Sequence, residues 1–516
     1  MLKRFLIVVH RWLGVALCLI FLLWFPSGIG MMYWDFPSVG RADLLEHLPA
    51  LDPSKIALSP AEAAAGLGES QPYGQVRLNT FDGRPVYRFT AGGGEALVYA
   101  DSGEEQIEVS KAMVDAIASA WSGRRLSDAT VEAIDEPDQW TLQIRLGDLS
   151  PLWKYSWATG EQVYVSEATG EVVQYTTTAS RLGAYVGAIP HWLYFPPLRR
   201  HGAQWSRLVI WASGIGMGSA ILGVVIGLWM YSPRKRYRYD GAPTSIPYRG
   251  QKRLHTIFGL IFGVATATWA FSGLLSMDPF PTSRTGRPPG RRGGGAAIGQ
   301  VLLGPAGDLS AFADKHPRQA LAQLSNRPVK ELELTTFGGV PIYMATLAGG
   351  ETRIVPVHGD PRAEFDRQEI IDLVAKGTEA SGGAEITLLQ QYDSYYVDRR
   401  RERPLPVILV RLNDDEHTRY YIDPRTARIA GTYSSRNWVS RWLYHGLHSL
   451  DFPWLYNHRP LWDIVVITFM VGGTALSVTS LILAWRVLGR KLNRMIVRRD
   501  SRDPPASEDL VLEADG

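Results

Sequence analysis

The sequence has one cysteine among 516 residues, and that scarcity excludes several chemistries. A disulfide framework, a Cys-ligated zinc site and an iron–sulfur cluster all need more thiols than Cys18 supplies. Cys18 is not part of a C-x-x-C-H motif, which excludes covalent haem attachment. An excess of one charge is also missing. Lys and Arg number 54 against 51 Asp and Glu, and the net charge of +3 gives no reason to expect a nucleic-acid partner. There is no G-x-G-x-x-G, no P-loop and no nucleophile elbow, so nucleotide binding and hydrolase chemistry have no motif behind them. Any redox chemistry must come from a non-covalent cofactor held by other side chains. Mean hydropathy is −0.07, too low for a carrier embedded in a membrane along most of its length and normal for a folded chain.

That average conceals four apolar runs. Trp12 to Trp34, Leu208 to Ser232, Leu254 to Met277 and Ile464 to Trp485 contain no charged residue, and each is long enough to span a bilayer as a helix. The first is too long for a signal-peptide core and has no A-x-A-like exit, so it reads as an uncleaved anchor. Basic residues flank the runs on one side: Lys3 and Arg4, then Arg234-Lys235-Arg236 with Lys252-Arg253, then Arg486 to Arg499. The positive-inside rule therefore predicts cytoplasmic termini and a cytoplasmic loop. The expected division is a first transmembrane helix at 1–35, an external domain at 36–200, a second helix at 201–233 and a cytoplasmic loop at 234–253. A third helix at 254–278, a second external domain at 279–458, a fourth helix at 459–487 and a cytoplasmic tail at 488–516 follow.

The chain reads as one unit written twice. His10-Arg-Trp-Leu-Gly14 matches His255-Thr-Ile-Phe-Gly259, and Pro26-Ser27-Gly28 matches Phe271-Ser272-Gly273. Phe81 to Tyr87 echoes Phe337 to Tyr343, Tyr164 to Gly170 echoes Tyr421 to Ala427, and His191 to Pro196 aligns with His448 to Pro453. The offset stays between 245 and 257. Alternating patterns predict strands at Val86 to Phe89, Thr141 to Arg145, Val163 to Val165, Leu332 to Thr335, Val407 to Arg411 and Arg419 to Ile422. Helices are expected near 107–120 and 367–377. Each external domain is thus expected to be α+β, a small sheet with a helix on one face. Gly170 stands at a hairpin position requiring positive φ.

The histidines carry the chemistry. His10 and His255 hold equivalent places near one end of two parallel spans, and His191 and His448 hold equivalent places before the two returning spans. A pseudo-two-fold axis along the membrane normal would put each pair at a common depth, which suits bis-His ligation of two b haems. Gly14 and Gly259 lie four residues after their histidines, on the same helix face, where a porphyrin could lie flat. A lone interfacial histidine is ordinarily a snorkelling polar residue; repetition is what sets these apart. For the outer pair His445 is a credible substitute, and His201 with His458 is the next alternative. The many Trp and Tyr read as an interface belt, and Gly214, Gly216, Gly218 and Gly472-Gly473 as sites of close helix packing.

The His-Arg-Trp-Leu-Gly start of the first span, the His-x-x-x-Gly of the third and Leu447-His448-Ser-Leu450 before the fourth resemble the PepSY-associated transmembrane helix family. The Tyr164 and Tyr421 hairpins resemble its external PepSY domains. The resemblance covers almost the whole chain, up to about residue 490. It implies an iron-regulated bacterial inner-membrane protein, a di-haem ferric-siderophore reductase, with membrane histidines at His10, His255 and His448 and with His191 as repeat partner of the last. This sequence departs from the repeat at Ala188, which stands opposite His445. The resulting expectation is an electron conduit that reduces ferric siderophores or other ferric chelates in the periplasm, fed by an external donor, a quinol or a cytoplasmic flavoprotein. The loop and tail are too short for a flavin domain of their own. The alternatives are a membrane-anchored PepSY protein regulating periplasmic peptidases and an iron-chelate uptake protein. The cationic stretch Arg284 to Arg292 reads as a solvated linker.

Overall fold

The computed structural model describes residues 1–67, 73–91, 94–279, 294–305, 308–324, 327–378 and 383–500, with backbone alone at 294–297 and 494–500. The Arg284 to Arg292 stretch lies outside the described residues. Four described helices are long and apolar enough to cross a membrane: Leu2–Tyr33, Gly202–Met230, Gly250–Leu275 and Leu461–Asn493, the last running on to Asp500. At about 1.5 Å of rise per residue, even the shortest, with 26 residues, exceeds a hydrocarbon core of about 30 Å. The first helix passes through Pro26 without a break. The hydroxyl of Ser27 donates to the carbonyls of Leu23 at 2.5 Å and Trp24 at 3.1 Å, supporting a turn that the proline ring leaves one donor short.

The four helices form a ring in which the first packs on the second and fourth, and the third packs on the same two, so that the first and third face each other across the bundle. Gly216 admits the ring of Phe21, Gly472 that of Phe262 and Gly473 that of Phe25, positions where a Cβ would collide with the aromatic ring. Gly214 and Gly218, expected to pack closely, face open space. Leu19, Trp211, Ile261 and Ile464 point outward and are each more than half exposed, leaving the bundle with the apolar exterior that a bilayer covers.

The sheets occupy one end of the bundle. Strands β1 (Gln75–Phe81), β2 (Arg84–Ala91) and β3 (Gly94–Tyr99) precede a four-stranded meander of β4 (Ala129–Ala133), β5 (Leu152–Trp157), β6 (Gln162–Ser166) and β7 (Glu171–Thr176). A short hairpin, β8 (Tyr237–Tyr239) with β9 (Ala242–Thr244), lies in the loop between the second and third long helices. The second half supplies β10 (Leu303–Gly304), β11 (Val329–Phe337), β12 (Val340–Leu347) and β13 (Thr352–Pro356). A second meander, β14 (Ala384–Leu389), β15 (Val407–Leu412), β16 (Arg419–Asp423) and β17 (Arg428–Tyr433), follows. Helix Lys111–Ser122 covers the first meander through Val114, Ala118 and Trp121 against Tyr155, Val163 and Val165. Helix Arg367–Thr378 covers the second through Ile370 and Val374 against Ile408, Val410 and Ile422.

The remaining strands form one common sheet, in the order β13-β12-β11-β1-β2-β3 with β10 on β11. Strand β1 pairs antiparallel with β11 in the register Val76↔Leu334, Arg77↔Glu333 and Leu78↔Leu332. The two sheet-bearing segments are therefore fused, whereas alternation alone suggests a separate small sheet in each. Two three-stranded sheets would leave β1 and β11 as open edges, and pairing removes both. Their shared core contains Tyr87, Phe89, Phe312, Leu332 and Tyr343, all fully or nearly fully buried.

One expected strand is absent. Thr141 to Arg145 forms turns, because the Asp138 carboxylate accepts the backbone N–H groups of Trp140 at 2.9 Å and Thr141 at 3.1 Å, an Asx arrangement that competes with sheet pairing. The hairpin turns are as the sequence predicts: Gly170 has φ +63°, and Ala427 takes the matching left-handed place at +52°.

Candidate functional site

Four histidines meet in two pairs. His10 on the first long helix and His255 on the third face each other across the bundle, with ring centroids 6.2 Å apart. His191, in the short helix Ala188–Trp192, and His448, in Leu447–Ser449, meet at 5.9 Å near the sheet end. Each pair takes one member from each half of the chain.

The second ring nitrogen of each histidine is engaged in the same way. His10 Nδ1 lies 3.1 Å from the carbonyl of Ser219, and His255 Nδ1 lies 3.2 Å from Thr479 Oγ1 and 3.4 Å from Ser480 Oγ. His191 Nδ1 lies 3.2 Å from both Ser27 Oγ and the Trp24 carbonyl, and His448 Nδ1 lies 2.9 Å from Ser272 Oγ. Facing a carbonyl, Nδ1 must carry the proton, which makes Nε2 the lone-pair nitrogen in His10 and His191. Fixing Nδ1 by an outer hydrogen bond is the usual support for an imidazole that binds metal through Nε2. Burial drives the imidazole of His191 down to about 4 and that of His448 to about 3, so both are neutral at physiological pH and able to ligate.

Backbone geometry places the outer pair. Leu193 and Leu450 have φ of +54° and +50°, an uncommon conformation for a bulky residue, and each follows its histidine by two positions. The reversal sends the chain into Phe195-Pro196 or Phe452-Pro453, where a short helix starts. Opposite, Gly28 and Gly273 lie beside the rings, where a Cβ would be in ordinary contact at 3.7 Å from His191 Cε1 and 3.9 Å from His448 Cε1; the tight neighbour at Gly28 is Met470, whose Sδ would be 3.0 Å away. The indole of Trp269 donates to the His448 carbonyl at 2.9 Å. The repeated Ser-Gly dipeptides are thus parts of the site; the sequence displays the repetition but not its purpose. Gly223 has no such signature, yet a Cβ on it would lie 2.7 Å from His10 Cε1.

The inner pair opens into a cavity of about 1170 Å³ lined by all four long helices, including His10, Gly14, His255 and Gly259. A Cβ on Gly14 would meet nothing within 4 Å, and one on Gly259 only Leu476 at 3.9 Å, so both glycines leave a smooth wall. Cofactor sites usually enclose about 300–1,000 Å³, and this one is large enough to admit a large planar ring. Two imidazoles on opposite sides of one metal, with nitrogens about 2.0–2.1 Å from it, place their centroids roughly 6 Å apart. Both observed separations meet that requirement. The donor set, neutral nitrogens without carboxylates or thiolates, fits haem iron.

The alternative histidines stand apart from these pairs. His445 is exposed and packs on Tyr444, with centroids 4.4 Å apart. His201 caps the second long helix and is exposed, and His458 is exposed with its Nδ1 2.7 Å from the Trp454 carbonyl. A smaller cavity of about 400 Å³ at the seam of β11 and β17 contains the Glu333–Arg428 ion pair and no histidine. Compared with known families and with curated proteins, the chain matches none of them.

Proposed function

We propose that this protein is a di-haem b electron conduit of the bacterial inner membrane. In this reading it is built from two tandem repeats, each with two spans and a PepSY-like domain outside the cytoplasm. His10 and His255 would hold the inner haem, and His191 and His448 the outer one. When bound between these imidazoles, haem b would supply one-electron redox chemistry suited to electron transfer. The chain's own residues engage Nδ1 of all four imidazoles with a carbonyl or a hydroxyl, and small residues beside His10 and His255 keep side chains out of the cavity between them. The overall activity is transfer of single electrons from an external donor, a quinol or cytoplasmic flavoprotein, to a ferric siderophore or other ferric chelate outside. Reduction of Fe(III) to Fe(II) weakens hard oxygen ligation and releases the iron.

The observation that carries this reading is the pair of cross-bundle imidazole contacts, each supported at Nδ1. The tandem repeat is supported by the register of β1 on β11, which is symmetric about Arg77 and Glu333. The orientation is supported by the basic residues gathered at the end of the bundle away from the sheets. Plain anchoring of a peptidase-binding module would not call for paired histidines in both halves, and the unbroken long helices offer no support for uptake.

Purification in detergent from haem-replete cells, with reduced-minus-oxidised spectra and a haem count, tests the proposal. Two haems per chain are expected. His10→Ala and His255→Ala should each remove the same haem, and His191→Ala and His448→Ala the other. A wild-type protein without a Soret band would overturn the conduit and leave the binding protein ahead.

A further inference from the structure

We propose that Arg11, Arg249, Lys252, Arg486, Arg490 and Lys491 form a cationic seat for the two carboxylates of the ring held by His10 and His255. This rests on the haem reading above and adds an orientation, with carboxylates toward the basic end of the bundle. All six residues line the inner cavity, together with both histidines, and no Asp or Glu lines it. They come from three separate stretches of chain, the first long helix, the start of the third and the end of the fourth. A topology signal requires basic residues on one side of the membrane but not their convergence on one cavity.

Their existing partners leave most of this charge unanswered. Arg249 pairs with exposed Asp240 at 3.0 Å, and Lys491 lies over the Trp12 ring at 4.5 Å. Arg11, Lys252, Arg486 and Arg490 have no acidic partner among the described residues. Uncompensated cations beside an apolar cavity select an amphipathic ligand, flat and apolar where it meets Gly14 and Gly259 and anionic at its rim. Arginine forks suit carboxylate oxygens by charge-assisted, bidentate hydrogen bonds. An anionic phospholipid headgroup offers related oxygens, so the experiment must separate the two.

The test uses the full chain with Arg11→Gln, Arg486→Gln and Arg490→Gln combined, beside an Arg234→Gln, Arg236→Gln control in the exposed loop. The triple variant should release one of its two haems to apomyoglobin roughly tenfold or more faster than wild type. The midpoint potential of that haem should fall, because removing nearby cations favours the oxidised iron. The other haem and the control should be unchanged. Haem dimethyl ester, whose carboxylates are blocked, should bind the wild-type inner site as weakly as haem binds the triple variant. Wild-type release rate and potential in the triple variant would overturn the proposal. So would equal binding of ester and haem, or loss of co-purifying phospholipid phosphorus with haem retained, which would assign the rim to lipid. A wild-type protein lacking haem would instead refute the conduit itself.

Discussion

Each of the four central imidazoles is held at Nδ1, and this sets what single substitutions should do. Ser27→Ala and Ser272→Ala remove a hydroxyl from His191 and His448. Loss of such outer support typically weakens metal affinity by about 10–100-fold, so haem stoichiometry under limiting haem should fall at the outer site alone. Ser272→Ala should be the more severe, since His191 keeps the Trp24 carbonyl. Gly223→Val would drive carbon into His10 Cε1, and the expected result is a protein carrying one haem, the outer, by pyridine haemochrome assay. The histidines are legible in the sequence because repetition at an offset of 245 to 257 residues marks them. Their supports are less so: Ser219 acts through a carbonyl and Gly223 through an absent side chain, and neither leaves a motif.

At the level of elements, one device recurs. Tyr164 on β6 donates to Asp138 at 2.7 Å, and Tyr421 on β16 donates to Asp393 at 3.0 Å. Both phenols are fully buried, and burial raises their pKa with help from the adjacent carboxylate. Each aspartate also caps an irregular segment, Asp393 through the N–H groups of Tyr395 and Tyr396. Those segments reach the histidines. Gln139 donates to the Tyr194 carbonyl at 2.8 Å, and Arg441, just ahead of His448, donates to the Ser394 carbonyl at 2.5 Å. The Asp–Tyr pair thus ties a meander to the segment that carries His191 or His448. Tyr164→Phe should cost about 1–3 kcal/mol by removing a hydrogen bond to a partly buried carboxylate, measured as thermal unfolding in detergent with the near-UV signal of the sheet domain. The strands around Tyr164 and Tyr421 are legible by alternation. The cap is not, because Thr141 to Arg145 also alternates, and only the position of Asp138 decides against a strand.

For the whole molecule, the decisive element is the seam between β1 and β11. Glu331 at this seam is buried and accepts from Asn79 at 3.2 Å and from Arg41, which arrives from just beyond the first long helix. Glu331→Ala leaves Asn79 without its acceptor, and a loss of about 1–3 kcal/mol is expected, read from the midpoint of denaturation of the sheet domain. The four long apolar helices and the α+β character of the segments between them are legible in the sequence, through charge-free runs and alternating patterns. The seam is not, since its partners lie more than 250 residues apart and local periodicity says nothing about which edge a strand will meet.

Arg77 and Glu333 face each other at the centre of that seam, with Val76↔Leu334 and Leu78↔Leu332 disposed evenly on either side. Strand and mirror strand therefore meet as two identical subunits would across a dimer axis. Both histidine pairs likewise take one ring from each half, so neither half alone brings two of these rings together. Severing the chain within 234–253 should yield two fragments that recover haem only when co-expressed. In that register two copies of the first fragment would set Arg77 against Arg77, so the Arg77↔Glu333 pairing favours the two different fragments over self-association, and the first fragment alone should elute as a monomer in size-exclusion chromatography.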